Sequence, residues 1–311
     1  MGNTGIKVSR ICFGSLTLGP LCANLTLNRG IALISAAIDL GVSFIDTAEQ
    51  YRTYSYIKGA LDATDKTMIV ATKTYAQTGT DAAYAVEDAR LALGRNTLDI
   101  FLLHEVQDET DFCRRAPAWQ VLLDAKNNGA INAVGISTHS AKVAAMAAHH
   151  PQIEIIHPML NIAGIGINDG SVEDMLTAIA DAKREGKGVY GMKALGGGAL
   201  MREAKKALLW AYEQPDLDAI AIGFKDEAEL VTNIGWYDGQ EPPEAKKVNL
   251  LDRNLAYDKD PICHGCGQCI KRCPQGALSF SEDHAPIWDK SKCIYCGYCI
   301  AACPWFCLSF C

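Results

Sequence analysis

Eight of the 13 cysteines in this chain form two copies of one spacing pattern near its carboxyl end. Each copy has three cysteines separated by two residues, then a fourth after three more residues, followed at once by proline. Three closely spaced thiolates can hold one corner of an iron–sulfur cube, whereas the cysteine before the proline points to a neighbouring cluster. Four cysteines also suit a tetrahedral zinc ion, but zinc sites usually pair separated Cys-x-x-Cys units, so the spacing favours iron and sulfur. The two copies are Cys263, Cys266, Cys269 and Cys273, and then Cys293, Cys296, Cys299 and Cys303.

This pattern, from Cys263 through Pro304, resembles that of bacterial ferredoxins with two 4Fe-4S clusters. The resemblance implies that the fourth ligands are exchanged between the two copies. One cluster would be held by Cys263, Cys266, Cys269 and Cys303, and the other by Cys293, Cys296, Cys299 and Cys273. Cys307 and Cys311 lie outside the pattern, and we expect them to be packing thiols.

Four polar residues stand at or just after the ends of consecutive apolar runs. Asp46 ends the second run, Tyr51 follows in the next loop, Lys73 ends the third run and His104 ends the fourth. A phenol is a poor acid at neutral pH, but a nearby ammonium held by a carboxylate lowers its pKa. A tyrosine activated in this way can protonate a carbonyl oxygen that a histidine orients.

The elements that must position these residues are short apolar strands that alternate with stretches of helical period. Strands that are apolar almost continuously are typical of a parallel sheet covered on both faces. Eight such units predict an α/β fold, a closed (β/α)8 TIM barrel, with an open doubly wound sheet as the alternative. The candidate strands are 11–16, 42–45, 68–71, 99–103, 133–136, 153–156, 188–192 and 219–223.

From Gly5 to about Asn233 the chain resembles the aldo-keto reductase family. The resemblance implies that Tyr51 is the general acid, that Asp46 and Lys73 tune it, and that His104 positions the carbonyl group. The segments that carry it are Gly41-x-x-Phe44-Ile45-Asp46-Thr47-Ala48-x-x-Tyr51, Val70-Ala71-Thr72-Lys73, and Leu98-Asp99 with Leu102-x-His104.

The same resemblance implies a nicotinamide cofactor, NAD(P), but several cofactor positions depart from the family's pattern. Thr138 replaces a usual asparagine, His157 a usual glutamine, and Met192 a tyrosine that stacks on nicotinamide. Glu229 replaces an arginine that grips the 2′-phosphate, which makes a preference for NADPH doubtful and favours NADH, weaker binding or no nicotinamide. The segment from Met192 to Gly198 looks like the subset of the family that carries ferredoxin modules. The candidate cofactor contacts are Ser137, Thr138, Asn161, Met192, Lys193, Gly223 and Asn233.

Composition limits the remaining function classes. The 29 basic and 36 acidic residues give a net charge of −7, which argues against a nucleic-acid partner, and no apolar run is long enough to span a membrane.

We expect a barrel over 1–237, a linker with a candidate short helix over 238–257, and an α+β ferredoxin-like domain over 258–311. The sequence predicts a cytoplasmic oxidoreductase of an anaerobe, with a small carbonyl or alcohol substrate and a ferredoxin or other redox protein as partner. The alternative is an electron-transfer or docking protein whose barrel is no conventional NAD(P)H carbonyl reductase.

Overall fold

Eight parallel strands close into a barrel in the chain order β1 to β8, which confirms the predicted (β/α)8 fold. The structure is a computed structural model that describes residues 1–241, 253–257, 263–305 and 307–310. All eight candidate strands are present, with ends shifted by up to a few residues. The strands are β1 (Ile11–Gly14), β2 (Phe44–Asp46), β3 (Ile69–Thr74), β4 (Leu98–Leu103), β5 (Ile131–Thr138), β6 (Ile155–Pro158), β7 (Gly188–Met192) and β8 (Ala219–Ile222).

Helices cover the outside of the barrel and bury the outward side chains of its strands. Several begin with a side-chain cap; in α7, for example, Ser171 and Asp174 form a reciprocal capping box. The helices are α1 (Leu27–Asp39), α2 (Tyr54–Leu61), α3 (Gly79–Leu93), α4 (Glu109–Arg114), α5 (Ala116–Asn127), α6 (Ala141–His149), α7 (Val172–Arg184), α8 (Ala204–Tyr212) and α9 (Glu227–Tyr237).

The inside of the barrel is a separate apolar core made by alternate residues of the strands, since side chains along a strand point to opposite faces. Phe44, Ala71, Leu102 and Ile155 belong to this core. The residue two positions beyond each of them is polar and lies nearer the carboxyl end of its strand. The two-residue period therefore delivers Asp46, Lys73, His104 and His157 to one end of the barrel.

The carboxyl-terminal unit is small and contains both α and β elements, as predicted. A first pair of antiparallel strands joins β9 (Leu255–Tyr257) to β12 (Leu308–Phe310). A second pair joins β10 (Leu278–Phe280) to β11 (Pro286–Trp288). Two short helices, α10 (Gln268–Arg272) and α11 (Tyr298–Ala301), complete the unit.

The expected linker helix falls mostly outside the described residues, which exclude 242–252. Leu255, within the 238–257 linker, lies in strand β9, where it pairs with Phe310. No helix in the described ranges combines the length and apolar character needed to cross a membrane.

An apolar cluster packs this unit against the carboxyl end of the barrel. It combines Met159 and Met201 of the barrel with Tyr295, Ile300 and Phe310 of the carboxyl-terminal unit. A Cβ atom on Gly198 would lie 2.8 Å from the Cβ atom of Phe310, so glycine permits the close approach of the loop after β7 to β12. The two units therefore meet over the end of the barrel that carries the polar residues.

Candidate active site and cluster sites

Asp46 and Lys73 form a buried ion pair at the carboxyl ends of β2 and β3. The Lys73 ammonium donates to both carboxylate oxygens, at 2.7 and 2.8 Å, and to the carbonyl oxygen of Thr47 at 2.7 Å. The hydroxyl of Tyr190 donates to Asp46 Oδ1 at 2.9 Å. These bonds offset the cost of burying two charges, so that the ammonium is held in a fixed position.

Tyr51 and His104 lie beside this pair. The ammonium nitrogen of Lys73 is 5.1 Å from the ring centroid of Tyr51, and the rings of Tyr51 and His104 meet edge to face with centroids 5.7 Å apart. The structure thus brings together the four residues that the sequence singled out. Their assignment as catalytic residues stays a prediction.

His104 is buried and stays uncharged near neutral pH. Burial lowers its pKa well below the usual range, and the positive charge of Lys73 adds to this effect. Its Nδ1 atom has no hydrogen-bond partner among the described residues. A neutral imidazole of this kind can bond to the oxygen of a carbonyl compound without competing for the proton of the acid.

Arg115, which the sequence reading missed, holds the strand ends that carry Lys73 and His104. It is 2% exposed and stands between α4 and α5. The local sequence offers only a nearby carboxylate, Asp111, which lies 3.7 Å from the guanidinium, whereas the backbone partners of Arg115 are distant along the chain. Its guanidinium donates to the carbonyl oxygens of Thr74 (2.8 Å), Ala76 (3.1 Å) and His104 (2.8 Å).

His157 and Tyr190 extend the site toward β6 and β7. Their rings stack with centroids 3.8 Å apart, and His157 Nε2 lies 3.7 Å from Asp46 Oδ1. Burial lowers the pKa of His157 to about 4, although the Asp46 charge opposes this shift. The sequence identified His157 only as a replacement for glutamine. Tyr190 was missed, yet it sits two residues before Met192 on the inward face.

The depressed pKa of His157 predicts that acid reduces the stability of the fold. An unfolded chain takes up this proton as the pH falls through about 6.5, whereas the folded chain does not until about pH 4, so stability falls across that window. Between pH 7.5 and 5.5 the free energy of unfolding should therefore fall by about 1 kcal/mol less in His157→Gln than in the parent protein. Anaerobic urea unfolding at the two pH values measures both changes. His149→Gln, at a largely exposed position, is the control. Equal pH dependence in parent and His157→Gln would contradict the prediction.

A second buried group lies beside the first, on the residues that follow β3, β4 and β5. The Tyr75 hydroxyl donates to Glu105 Oε2 at 2.5 Å, and His139 Nδ1 is 3.3 Å from Glu105 Oε1. The Tyr75 ring also packs against that of His104, with centroids 4.3 Å apart and the ring planes tilted by 30°. On its other side Tyr75 packs against an apolar group that includes Cys303 and Cys307. Tyr75 therefore contacts both the barrel site and the cysteine-rich unit.

A cavity of about 250 Å³ opens from this site and is closed in part by the carboxyl-terminal unit. Asp46, Tyr51 and His157 form its barrel end, whereas Lys73 and His104 are not among its lining residues. Of the predicted cofactor contacts, Met192, Lys193 and Gly223 line it. The residues that the carboxyl-terminal unit and the segment before it contribute are Arg253, Ala256, Tyr257, Cys307, Ser309 and Phe310.

The other predicted cofactor contacts do not line this cavity. Ser137 Oγ accepts from the backbone nitrogen of Glu105 at 2.7 Å, and Thr138 Oγ1 donates to the carbonyl oxygen of Val106 at 2.7 Å. The Asn161 side chain bonds to backbone atoms of the loop after β6, including the carbonyl oxygen of Ile165 at 2.8 Å. Asn233 Nδ2 donates within α9, to the carbonyl oxygen of Glu229 at 2.8 Å. Ser137, Thr138 and Asn161 fit the carboxamide of a nicotinamide poorly, because their polar atoms stabilise the protein's own backbone, whereas Asn233 Oδ1 has no partner among the described residues.

The Glu229 carboxylate is paired, which weakens the argument that it repels a phosphate. Its Oε1 atom is 2.7 Å from Arg253, and its Oε2 atom accepts from the backbone nitrogen of Lys225 at 3.1 Å. The guanidinium of Arg253, on a segment 24 residues further along the chain, thus faces the same cavity. Lys193, Lys225 and Arg253 give this part of the cavity a cationic lining that suits phosphate groups.

The eight pattern cysteines line two separate small cavities, four to each. We call these site A and site B. Site A is lined by Cys263, Cys266, Cys269 and Cys303, and site B by Cys273, Cys293, Cys296 and Cys299. This is the crossed arrangement that the ferredoxin resemblance implies. The ligand assignment itself stays a prediction.

The backbone of both sites is shaped to receive a negatively charged cluster. Gly265 and Tyr295 occupy equivalent positions with φ of +63° and +54°, and their N–H groups point at the thiols of Cys263 and Cys293, at 3.5 and 3.4 Å. Such N–H groups stabilise cluster thiolates. A non-glycine residue such as Tyr295 rarely adopts this conformation without a local requirement. The donor sets and their backbone therefore fit 4Fe-4S clusters.

Comparisons with known proteins agree with both halves of this description. Residues 10–208 match the Aldo/keto reductase family, and residues 255–304 match a 4Fe-4S dicluster domain. L-galactose dehydrogenase of Arabidopsis thaliana is 25% identical over 232 residues, which is 70% of either chain. 2,5-diketo-D-gluconic acid reductase B of a Corynebacterium is 30% identical over 118 residues, 37% of this chain and 42% of that protein.

Solved structures show the same barrel. An aldo-keto reductase structure from Pseudomonas aeruginosa superposes with a TM-score of 0.65 at 21% identity, covering 77% of this chain and 93% of its own. The holo form of an aldo-keto reductase from Bacillus halodurans gives 0.64 at 18% identity, covering 78% and 91%. The chain therefore belongs to the aldo/keto reductase family, and it is an oxidoreductase whose barrel is followed by a 4Fe-4S dicluster domain.

Proposed function

We propose that this protein interconverts a carbonyl compound and its alcohol at the carboxyl end of the barrel, with two 4Fe-4S clusters that exchange single electrons. One observation carries the proposal. The cavity that Asp46 and Tyr51 line is also lined by Tyr257 and Cys307, and these two residues line site A as well. The wall between the cavity and a cluster site is thus one side chain thick.

The residues support distinct roles in this reaction. Tyr51 donates a proton to the carbonyl oxygen, and Lys73, fixed by Asp46, favours the phenolate that forms. His104 orients the carbonyl group from the other side. Reduction of a carbonyl to an alcohol consumes two electrons and two protons: the two clusters supply one electron each, Tyr51 supplies the proton on oxygen, and water supplies the proton on carbon.

NAD(P) is the second electron source that we consider. When bound, it supplies a hydride. Lys193, Lys225 and Arg253 would hold its phosphates, whereas Ser137, Thr138 and Asn161 offer little to its carboxamide. We therefore propose that nicotinamide binds weakly. A preference for NADH over NADPH stays a prediction. Because Glu229 is paired with Arg253, we expect the difference in affinity between the two cofactors to be small.

We also propose a reduced ferredoxin or similar redox protein as partner, in the cytoplasm, where clusters and free thiols are protected from oxidation. The alternative function is an electron-transfer or docking protein with a barrel that binds without catalysing. It is favoured by the internal use of the polar atoms at Ser137, Thr138 and Asn161.

The test is anaerobic purification of the full chain, followed by assays with two donors. We expect about eight irons and eight sulfides per chain, and reduction of aldehydes or ketones with dithionite-reduced ferredoxin faster than with NADH or NADPH. Stoichiometric zinc without acid-labile sulfide would contradict the cluster assignment. A fully loaded protein that reduces none of a broad carbonyl panel with any donor would favour the electron-transfer alternative.

A further inference from the structure

The two cluster sites are related by an internal repeat, which makes their differences informative. Cys303 of site A and Cys273 of site B are equivalent, as are the residues four positions later, Cys307 and Ala277. In both copies the N–H group of the later residue donates to the thiol of the earlier one, at 3.3 Å. The backbone is therefore alike, and the sequence places a thiol at one site where the other has a methyl group.

Cys307 is placed as a fifth thiol of site A. It is 4% exposed and packs against Cys303 and Cys263. Cys307 also lines the barrel cavity, whereas Cys303 lines only the site A cavity. Among the described residues, site B has its four pattern cysteines and no fifth. The expectation that Cys307 is a packing thiol therefore misses its contacts with two of the proposed ligands.

We propose that Cys307 is a reserve ligand of the site A cluster and can replace Cys303 on its fourth iron. In the exchange the bond from iron to Cys303 sulfur breaks and a bond to Cys307 sulfur forms. Cys307 gives up its thiol proton and Cys303 takes one up, so neither iron nor sulfur changes oxidation state. The exchange would move the protein ligand of that iron to the wall of the barrel cavity. The inference rests on the proposed cluster ligands and not on carbonyl reduction.

The test compares equivalent variants in the two sites of the full chain, purified without oxygen. Cys303→Ala should keep about eight irons and show no three-iron signal by electron paramagnetic resonance after mild oxidation, since Cys307 takes over. Cys273→Ala should keep about seven and show that signal. The double variant Cys303→Ala, Cys307→Ala should then lose iron and show the three-iron signal, as Cys273→Ala does. Cys273→Ala with Ala277→Cys should recover the full iron content, because the repeat places the new thiol where Cys307 stands.

The proposal is overturned if Cys303→Ala loses iron and gains the three-iron signal to the same extent as Cys273→Ala. It is equally overturned if Cys303→Ala fails to fold or to assemble a cluster, because a reserve ligand would have preserved both. None of these readouts requires a substrate. Failure of the carbonyl assays would therefore leave this result unaffected, and the two proposals can fail separately.

Discussion

Removal of the Tyr51 hydroxyl is expected to lower carbonyl reduction by about 10² or more while the barrel stays folded. Tyr51 lines the cavity next to Asp46, and its ring lies 5.1 Å from the ammonium of Lys73. Tyr51→Phe keeps the ring and its packing against His104 and removes only the proton donor. Turnover number and KM, measured with one substrate and a fixed donor, show whether the loss lies in the chemical step.

Tyr56→Phe is the matched control. The Tyr56 hydroxyl donates to the carbonyl oxygen of Leu25 at 2.7 Å, and that of Tyr54 bonds to Thr72 at 2.8 Å. Neither residue lines the cavity, so neither can replace Tyr51 as the acid. Tyr56→Phe should lower the stability of the fold slightly and leave the turnover number almost unchanged. If Tyr51→Phe reduces carbonyl substrates at nearly the parental rate, Tyr51 is not the acid.

Sequence reasoning located the barrel and its polar end because both depend on short-range patterns. Apolar runs marked all eight strands, and the residues that end three of them marked the site. The end of β5 was placed too early. Its last residues, Ser137 and Thr138, are polar, yet they extend the strand because their side chains bond to the backbone of the segment after β4.

Contacts between distant segments of the chain could not be predicted from these sequence patterns. The placement of Arg253 against Glu229, and of Tyr257 and Cys307 on the cavity wall, depends on how the carboxyl-terminal unit packs over the barrel. No local pattern encodes that packing. The cysteine spacing was different, since each site is lined by three cysteines close in sequence plus one cysteine from the other copy of the pattern. That is why the grouping of the eight cysteines could be anticipated.

Loss of the site A cluster is expected to abolish carbonyl reduction by a one-electron donor and to spare whatever reduction NAD(P)H supports. The double variant Cys266→Ala, Cys269→Ala removes two of its proposed ligands. Tyr257 and Cys307 separate site A from the cavity, so electrons from the clusters should pass at this point. About four irons should remain at site B, which shows that the unit is still folded.

Point variants serve better here than a chain ending after Tyr257, because that cut removes β12, the strand that pairs with β9, and with it Phe310 from the cavity wall. Cys113→Ala, at an exposed thiol on α4, is the control and should change neither activity. Tyr51→Phe provides the reciprocal test: Tyr51 lines neither cluster site, so the clusters should be reduced at the parental rate. Carbonyl reduction by the one-electron donor should fail in both test variants. The double cysteine variant lacks the route for electrons, and Tyr51→Phe lacks the proton donor. If the double variant retains that activity, the clusters serve docking or stability, and electrons reach the barrel by another route.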